Sequence, residues 1–190
     1  MSARALRLDP RSPFVLDTRE LGRRPGSMRH VRRTFGAPAD WALDIVRVPA
    51  DAEVDLDARL ESVMEGVLVT GTVEAPLIAD CGRCLEPTTD RLRVDVQELY
   101  GYERSPDDPE APILDGDFLD LTDLLRDAVV LALPLNPLCS EDCPGLCAGC
   151  GGKLADLGDG HSHDILDPRW ATLGALAPNP STPNPSHTES

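Results

Sequence analysis

The stretch EVDLDARLESV, Glu53–Val63, alternates apolar and charged side chains with a period of two. Its apolar positions share one face of an extended chain and its charged positions the other: Val54, Leu56, Ala58 and Leu60 against Asp55, Asp57, Arg59 and Glu61. Because successive side chains of a strand point to opposite faces, this pattern predicts a half-buried β-strand with one face on a core.

Similar strand patterns lie on both sides of this stretch. Trp41–Pro49 alternates in the same way, Gly66–Cys81 is rich in β-branched residues, and Arg91–Tyr100 again places apolar residues on one face. The motif CGRC lies between the last two predicted strands, so its cysteines should lie on a turn that joins paired strands. We predict an antiparallel β core from about residue 12 to residue 100.

One amphipathic helix is expected after the strands, in DLTDLLRDAVVLALP, Asp120–Pro134. Its apolar residues recur at helical spacing: Leu121, Leu124, Leu125, Ala128 and Val129. Asp120 is placed to cap the start of the helix, and Pro134 is placed to end it. The fold class predicted for the first 134 residues is therefore α+β, with an antiparallel β-rich core.

The composition limits where the protein acts. The chain has 190 residues and 41% hydrophobic side chains, enough for one domain with a core. Its longest apolar run, around Ala128–Leu135, is far shorter than the roughly 20 residues of a membrane-spanning helix. The start, MSARALRLDPRSPF, lacks the apolar middle of a secretory signal. We expect a cytoplasmic protein with no membrane partner.

The charge is uneven along the chain. The formal net charge is −15, yet residues 1–33 carry nine arginines against three acidic residues, a local net charge of +6. This basic N-terminal arm is the part of the chain that can attract phosphates, and its candidate RNA-binding residues are Arg23, Arg24, Arg29, Arg32 and Arg33. The alternative is that the run is only a solvated loop edge.

Six cysteines and two histidines form dense clusters. Disulfides are rare in a reducing compartment, so the clusters indicate metal or redox chemistry. Zinc takes four nitrogen or sulfur donors in a tetrahedron, and a short spacing lets one turn supply two of them. The eight candidate ligands are Cys81, Cys84, Cys139, Cys143, Cys147, Cys150, His161 and His163. We predict structural zinc, one or two ions.

The eight donors can divide in two ways. In the first, Cys139 and Cys143 join the upstream CGRC pair in an all-cysteine site, while Cys147 and Cys150 join the two histidines. In the second, the four clustered cysteines form one compact site and leave the upstream pair free. A redox CxxC is disfavoured because that motif belongs to a strand-to-helix junction, and this one falls between strands.

No catalytic constellation is visible. A catalytic zinc keeps one position open beside an acid or base, and the zinc-deaminase signature is missing. No nucleophile, base and orienting acid occur together in a recognisable pattern. We therefore expect a protein that is not an enzyme and has no small-molecule substrate.

The order of motifs resembles the YceD family, bacterial proteins named for large-subunit ribosomal RNA accumulation. The resemblance runs from about Leu16 to Leu176 through CGRCLEP, DLTDLLRDAVVLALPLNPLC, CSEDCPGLCAGCG and DPRWATLGAL. This chain has His161-Ser-His163 where similar proteins often continue with a CxC. Some members lack most of the cysteines. The resemblance therefore implies that zinc stabilises the structure of the members that bind it and is not part of the activity that the whole family shares.

The resemblance implies a ribosome-biogenesis accessory factor that supports accumulation or maturation of large-subunit ribosomal RNA. Its expected partner is pre-ribosomal RNA, or a basic large-subunit ribosomal protein that the acidic surface would attract. A zinc-stapled adaptor for another protein, unrelated to the ribosome, is the alternative.

The domain organisation follows from these segments. We predict a basic arm over 1–33 and a β-rich core with its C-terminal helix over 12–134. A Cys/His metal-binding segment is predicted over 135–176, and it ends in the DPR docking element, the sequence DPRWATLGAL at 167–176. The proline-rich end, 177–190, is expected to be disordered. A short helix is expected at Asp167–Leu176, either as a docking element or packed back on the core.

Overall fold

The computed structural model describes residues 8–158, 160–163 and 169. The described residues form two compact units, one up to Cys143 and one from Pro144 onward. The predicted helix at 167–176, apart from Arg169, and the predicted tail at 177–190 lie outside the described residues.

Strand β5 is the centre of the larger sheet of the first unit. The strands are β1 Val15–Asp17, β2 Met28–Gly36, β3 Val46–Arg47, β4 Glu53–Ser62, β5 Gly66–Asp80, β6 Pro87–Gly101 and β7 Phe118–Asp120. β5 pairs with β4 and β3 along one side and with β6 along the other, and β2 pairs with β4. β1 and β7 form a separate two-stranded sheet, and all these pairings are antiparallel. The predicted antiparallel, strand-rich architecture is confirmed.

The alternation in β4 decides which face of the sheet is buried. Val54, Leu56, Ala58 and Leu60 are all buried, and the charged residues between Glu53 and Arg59 are exposed. Helix α1, Thr122–Ala132, packs against β6 and buries Leu125 and Val129. Each fully buried apolar side chain of this size contributes about 1.5–3 kcal/mol to folding.

Helix α1 ends before Pro134 as predicted, but Leu121 and not the predicted Asp120 occupies the N-cap position. The Thr122 N–H donates to Asp120 Oδ1 at 2.9 Å, so the predicted carboxylate satisfies a donor of the first turn. The helix ends at Ala132, and Leu133 is extended, as expected for a residue before a proline. Among the described residues, no helix has the length and apolar character needed to cross a membrane.

Residues 41–49 differ from the predicted strand. Only Val46–Arg47 pairs with β5, because the segment folds back on itself as a tight turn. Leu43 N–H donates to the Val46 carbonyl, and Val48 N–H donates to the Trp41 carbonyl. The turn places Trp41 in the core, where it is 1% exposed. Val46 and Val48 are buried as well, whereas Leu43 at the turn is 36% exposed, so a turn rather than a long strand decides which apolar residues reach the core.

Residues 8–33, the described part of the predicted basic arm, are built into the first unit. They contribute β1, a short 3₁₀ turn at Arg19–Leu21 and the first part of β2. The second unit contains one short helix, α2, Leu154–Leu157, among its described residues.

Candidate metal centres

The first CxxC lies in the turn between β5 and β6, as predicted. Cys81 N–H donates to the Glu86 carbonyl at 2.8 Å, and Leu85 N–H donates to the Cys81 carbonyl at 2.9 Å. Leu85 has φ 61°, the left-handed conformation. These bonds curl the backbone around the two sulfurs, so that Cys81 and Cys84 both contribute to one group of thiols.

Four thiols meet at this turn: Cys81, Cys84, Cys139 and Cys143. The Sγ atoms of Cys81 and Cys143 are 3.8 Å apart, and those of Cys84 and Cys139 are 3.7 Å apart. A tetrahedron with Zn–S bonds of about 2.3 Å has S···S edges of about 3.8 Å. All four sulfurs lie within 4.8 Å of one another, so the group has the dimensions of a four-thiolate zinc site.

Backbone N–H groups tune the acidity of this cluster. The N–H groups of Cys84, Cys139 and Arg83 are directed at the Cys81 sulfur and lower the pKa of Cys81 to about 6. The Glu86 N–H lowers the pKa of Cys84, but burial and the Cys81 thiol outweigh it, so the net shift is upward. Hydrogen bonding to a neighbouring thiol raises the pKa of Cys139. A cation that holds all four as thiolates removes this competition for protons.

The two residues between the cysteines, Gly82 and Arg83, fix the turn against the second cysteine pair. Arg83 Nη1 donates to the carbonyls of Glu141 and Cys143, both at 3.0 Å. Gly82 N–H donates to the Pro137 carbonyl at 2.8 Å, and a Cβ at Gly82 would lie 2.3 Å from Asn136 Oδ1. Sequence reasoning missed both roles, since CxxC spacing says nothing about the two intervening residues.

The second CxxC repeats the backbone pattern of the first. Cys147 N–H donates to the Gly152 carbonyl at 2.7 Å, and Gly151 N–H donates to the Cys147 carbonyl at 2.8 Å. Gly151 has φ 71°, so it takes the left-handed conformation expected for the glycine after this motif. The N–H groups of Cys150 and Gly149 lower the pKa of Cys147 to about 7.

Two histidines complete the second group. His161 Nε2 lies 3.3 Å from the Cys147 sulfur and 3.5 Å from the Cys150 sulfur. With Zn–S of about 2.3 Å and Zn–N of about 2.0–2.1 Å, a tetrahedral S···N edge is about 3.5 Å. The His163 ring stands edge-on to that of His161 with centroids 4.6 Å apart, and one ligand atom of each residue falls within a 4.8 Å cluster.

The structure groups the eight side chains in the first of the two predicted divisions. The candidate ligands of the all-cysteine group belong to the first unit, and those of the mixed group belong to the second. The alternative division, one site made by the four clustered cysteines, does not match this grouping of the described residues. Each group could hold a metal ion, and metal binding itself stays a prediction.

Gly149 is a further requirement of the second group. A Cβ at this position would lie 2.7 Å from Cγ and Cδ2 of the His163 ring. Replacing Gly149 by alanine is therefore expected to displace that imidazole and to weaken metal binding at this group by about tenfold or more. The measurement is competition for Zn²⁺ against a chromophoric chelator.

Gly160 provides the matched control for Gly149→Ala. A Cβ at Gly160 meets no atom of the described residues within 4 Å, so Gly160→Ala should leave the zinc affinity unchanged. Equal affinities for the two alanine variants would show that His163 is not a ligand.

The five predicted RNA-binding arginines have different surroundings. On β2, Arg29 Nη1 donates to the Asp17 carbonyl at 2.8 Å, and Arg33 Nη1 donates to the Pro13 and Val15 carbonyls at 2.9 and 3.2 Å. Arg29 and Arg33 are half-buried and hold β1 against β2. These two guanidinium groups serve the fold.

The other three arginines are exposed. Arg32 pairs with Asp57 at 2.8 Å across the neighbouring strand. The Arg23 guanidinium lies 4.8 Å from the centroid of the Tyr102 ring. Arg23 Nη2 also lies 3.4 Å from the Gly116 carbonyl, and phosphate binding by Arg23 and its exposed neighbour Arg24 stays a prediction.

Comparisons with known proteins identify a family that matches the region containing the two groups of candidate metal ligands. The family described as large ribosomal RNA subunit accumulation protein YceD matches residues 69–177. An uncharacterized protein of Mycobacterium tuberculosis is 45% identical over 168 residues, which cover 85% of this chain and 80% of the relative. The chain belongs to the YceD family. The YceD match includes all eight candidate ligands and leaves out the five arginines.

Two further relatives are similar to this YceD protein along most of its length. An uncharacterized protein of Mycobacterium leprae is 40% identical over 184 residues, which cover 94% of this chain and 83% of the relative. YlbN of Bacillus subtilis, also uncharacterized, is 23% identical over 136 residues, or 70% of this chain and 77% of the relative. No solved structure gives a significant match.

Proposed function

We propose that this protein is a non-enzymatic accessory factor of ribosome biogenesis that supports accumulation or maturation of the large-subunit ribosomal RNA. The observation that carries the proposal is the match of residues 69–177 to a family described by that accumulation role. The proposal extends this family description to the chain's own activity and partners.

The two metal groups support a structural role for zinc in this factor. Each group supplies four donors of the types zinc prefers, which leaves no coordination position for water or substrate. Zinc bound at the all-cysteine group would cross-link segments that are distant in sequence, zinc at the mixed group would cross-link residues 147–163, and no chemical step is assigned to either ion. The closed donor sets and the lack of a recognisable nucleophile and base in the sequence favour a protein that is not an enzyme.

The partner is proposed to be pre-ribosomal RNA or a basic large-subunit ribosomal protein. The formal net charge of −15 repels a polyanion over most of the chain and attracts a basic protein. None of the six cysteines forms a disulfide, as expected in a reducing compartment, and we propose that the protein acts in the cytoplasm.

The experiment is affinity capture of the tagged full-length protein, with the bound RNA and proteins identified. We expect large-subunit ribosomal RNA precursors and large-subunit ribosomal proteins to be enriched over a tag-only control. Recovery of a single non-ribosomal protein, with no ribosomal component, would favour the adaptor and contradict the proposal.

Binding of RNA has its own test at Arg23 and Arg24. Replacing both by glutamine is expected to reduce the salt dependence of RNA binding, which is measured as the slope of log K against log salt concentration. The slope should become shallower by about 0.7–0.9 for each phosphate that the variant no longer neutralises. The matched control is Arg47→Gln/Arg126→Gln, which removes the same charge from two other exposed positions. Equal slopes for the two double variants would contradict phosphate binding by Arg23 and Arg24.

A further inference from the structure

Strand β6 has an open edge. One side of the strand pairs with β5 over its whole length, and in the described part of the chain no other strand pairs with the opposite side. Among the residues that the structure describes, backbone hydrogen bonds close only the end of that side, where Gly101 N–H donates to the Pro112 carbonyl and Leu114 N–H donates to the Gly101 carbonyl. Such an edge is a template for another strand.

In β6, the backbone N–H and C=O groups of the odd-numbered residues point away from β5. Two hydrogen bonds within the strand indicate this direction. Arg91 N–H donates to the carboxylate of Asp90, and Leu99 N–H to that of Glu98. Neither N–H therefore points to β5. Because the direction alternates along a strand, the N–H and C=O groups of the three odd-numbered residues between them also point outward: Arg93, Asp95 and Gln97.

A groove of about 390 Å³ runs along this edge, between β6 and helix α1. Six carboxylates line it, and among its described lining residues there is no lysine or arginine. The six are Asp95, Glu98, Glu110, Asp120, Asp123 and Asp127. On α1 itself, Arg126 pairs with Asp40 at 3.0 Å and with Asp127 at 3.5 Å, so it offsets only part of this charge.

The helix side of the groove also carries apolar side chains. Leu124 and Ala128 are half-buried, and Leu131 is 84% exposed. An extended segment beside β6 would therefore meet backbone donors and acceptors at the strand, apolar surface on the helix, and carboxylates around both. Alternating basic and apolar side chains fit this arrangement, because alternate residues of a strand face opposite sides.

We propose that the open edge of β6 and the adjoining groove bind an extended basic segment of a partner protein, which adds a strand to β6. The inference rests on the proposed function for the class of partner, a basic ribosomal protein. The recognition itself depends only on the strand edge and on charge complementarity. RNA is a poor occupant, since its phosphates would face six carboxylates.

The probe is a fluorescent heptapeptide that alternates Lys and Val, titrated with the zinc-loaded full-length protein. In one isomer of the peptide the Lys amides are N-methylated, and in the other the Val amides are. Each isomer therefore lacks the hydrogen-bond donors along one edge of the added strand. We expect the unmodified peptide to bind, one isomer to lose at least about tenfold in affinity, and the other to keep it within about twofold. Equal affinities for the two isomers, or no binding of the unmodified peptide, would overturn strand addition.

Charge complementarity is tested by Asp123→Asn/Asp127→Asn. We expect the peptide affinity to fall by about fivefold to tenfold at low salt. The matched control is Asp44→Asn/Asp51→Asn, which removes two exposed carboxylates that do not line the groove and should leave the affinity unchanged. An equal loss in both double variants would mean that only the net charge matters, and would overturn the assigned site.

Other occupants of the edge give different results. A dimer of the full chain that the heptapeptide dissociates would assign the edge to a second copy, and tighter peptide binding after deletion of residues 1–7 would assign it to the chain's own start. Either result would overturn a partner protein as the occupant. If the peptide binds as expected and affinity capture recovers no ribosomal component, the proposed function fails and strand addition stands for another basic partner.

Discussion

Replacing Cys81 and Cys84 by serine is expected to reduce the zinc content from about two ions per chain to about one and to lower the melting temperature by at least about 10 °C. The reason is that a metal ion held by the four-cysteine group would join the turn between β5 and β6 to the segment that holds Cys139 and Cys143. Metal-binding free energy at such a site is folding free energy, because the unfolded chain has no preformed site.

The measurements are elemental analysis of the purified protein and thermal unfolding with and without a chelator. Ser140→Ala is the matched control, since it changes an exposed residue beside Cys139 and removes no candidate ligand. An unchanged zinc content in the double serine variant would mean that the upstream pair never held a metal.

Replacing Cys147 and Cys150 by serine is expected to remove the other ion and to unfold the segment around α2. The amides of Gly151 and Leu154 donate to the carbonyls of Cys147 and Gly145, and both should lose protection from hydrogen exchange. The amides of β4 and β5 should keep their protection, because all ligands of this group come from the second unit.

Hydrogen exchange followed by mass spectrometry separates the two serine variants. The first should lose protection at the β5–β6 turn, and the second only beyond Pro144. If the Cys147→Ser/Cys150→Ser variant also exposed the core strands, or retained both zinc ions, the division of the ligands into two groups would be wrong.

The alternation of β4 makes that strand predictable, because every second residue from Val54 to Leu60 is apolar and buried. Strand β2 cannot be recognised from the sequence, because arginines interrupt its alternation of apolar and polar residues and suggest a basic arm instead. Its inward-facing positions are Arg29, Val31, Arg33 and Phe35, and both arginines use their guanidinium groups to bind backbone carbonyls. A charged side chain in such a position hides a strand from any pattern based on hydrophobicity.

The candidate metal ligands can be predicted from the sequence for a chemical reason. The residues that position these ligands cannot be predicted in the same way. Cysteine spacing restricts which sulfurs one turn can aim at one ion, so the first predicted division matches the two groups. Arg83 and Gly149 depend on how distant segments approach: Arg83 reaches the Cys143 carbonyl, and Gly149 leaves room for His163. Neither approach has a signature in the spacing of the motif itself.

The ratio of large- to small-subunit ribosomal RNA, measured in cells of the source organism, tests the central claim most directly. The comparison is between cells with the gene, cells without it, and deleted cells that carry a restored copy. We predict that the ratio falls on deletion and recovers with the restored gene, since the protein is proposed to support accumulation of the large-subunit RNA. A ratio that is the same in all three strains would contradict the account.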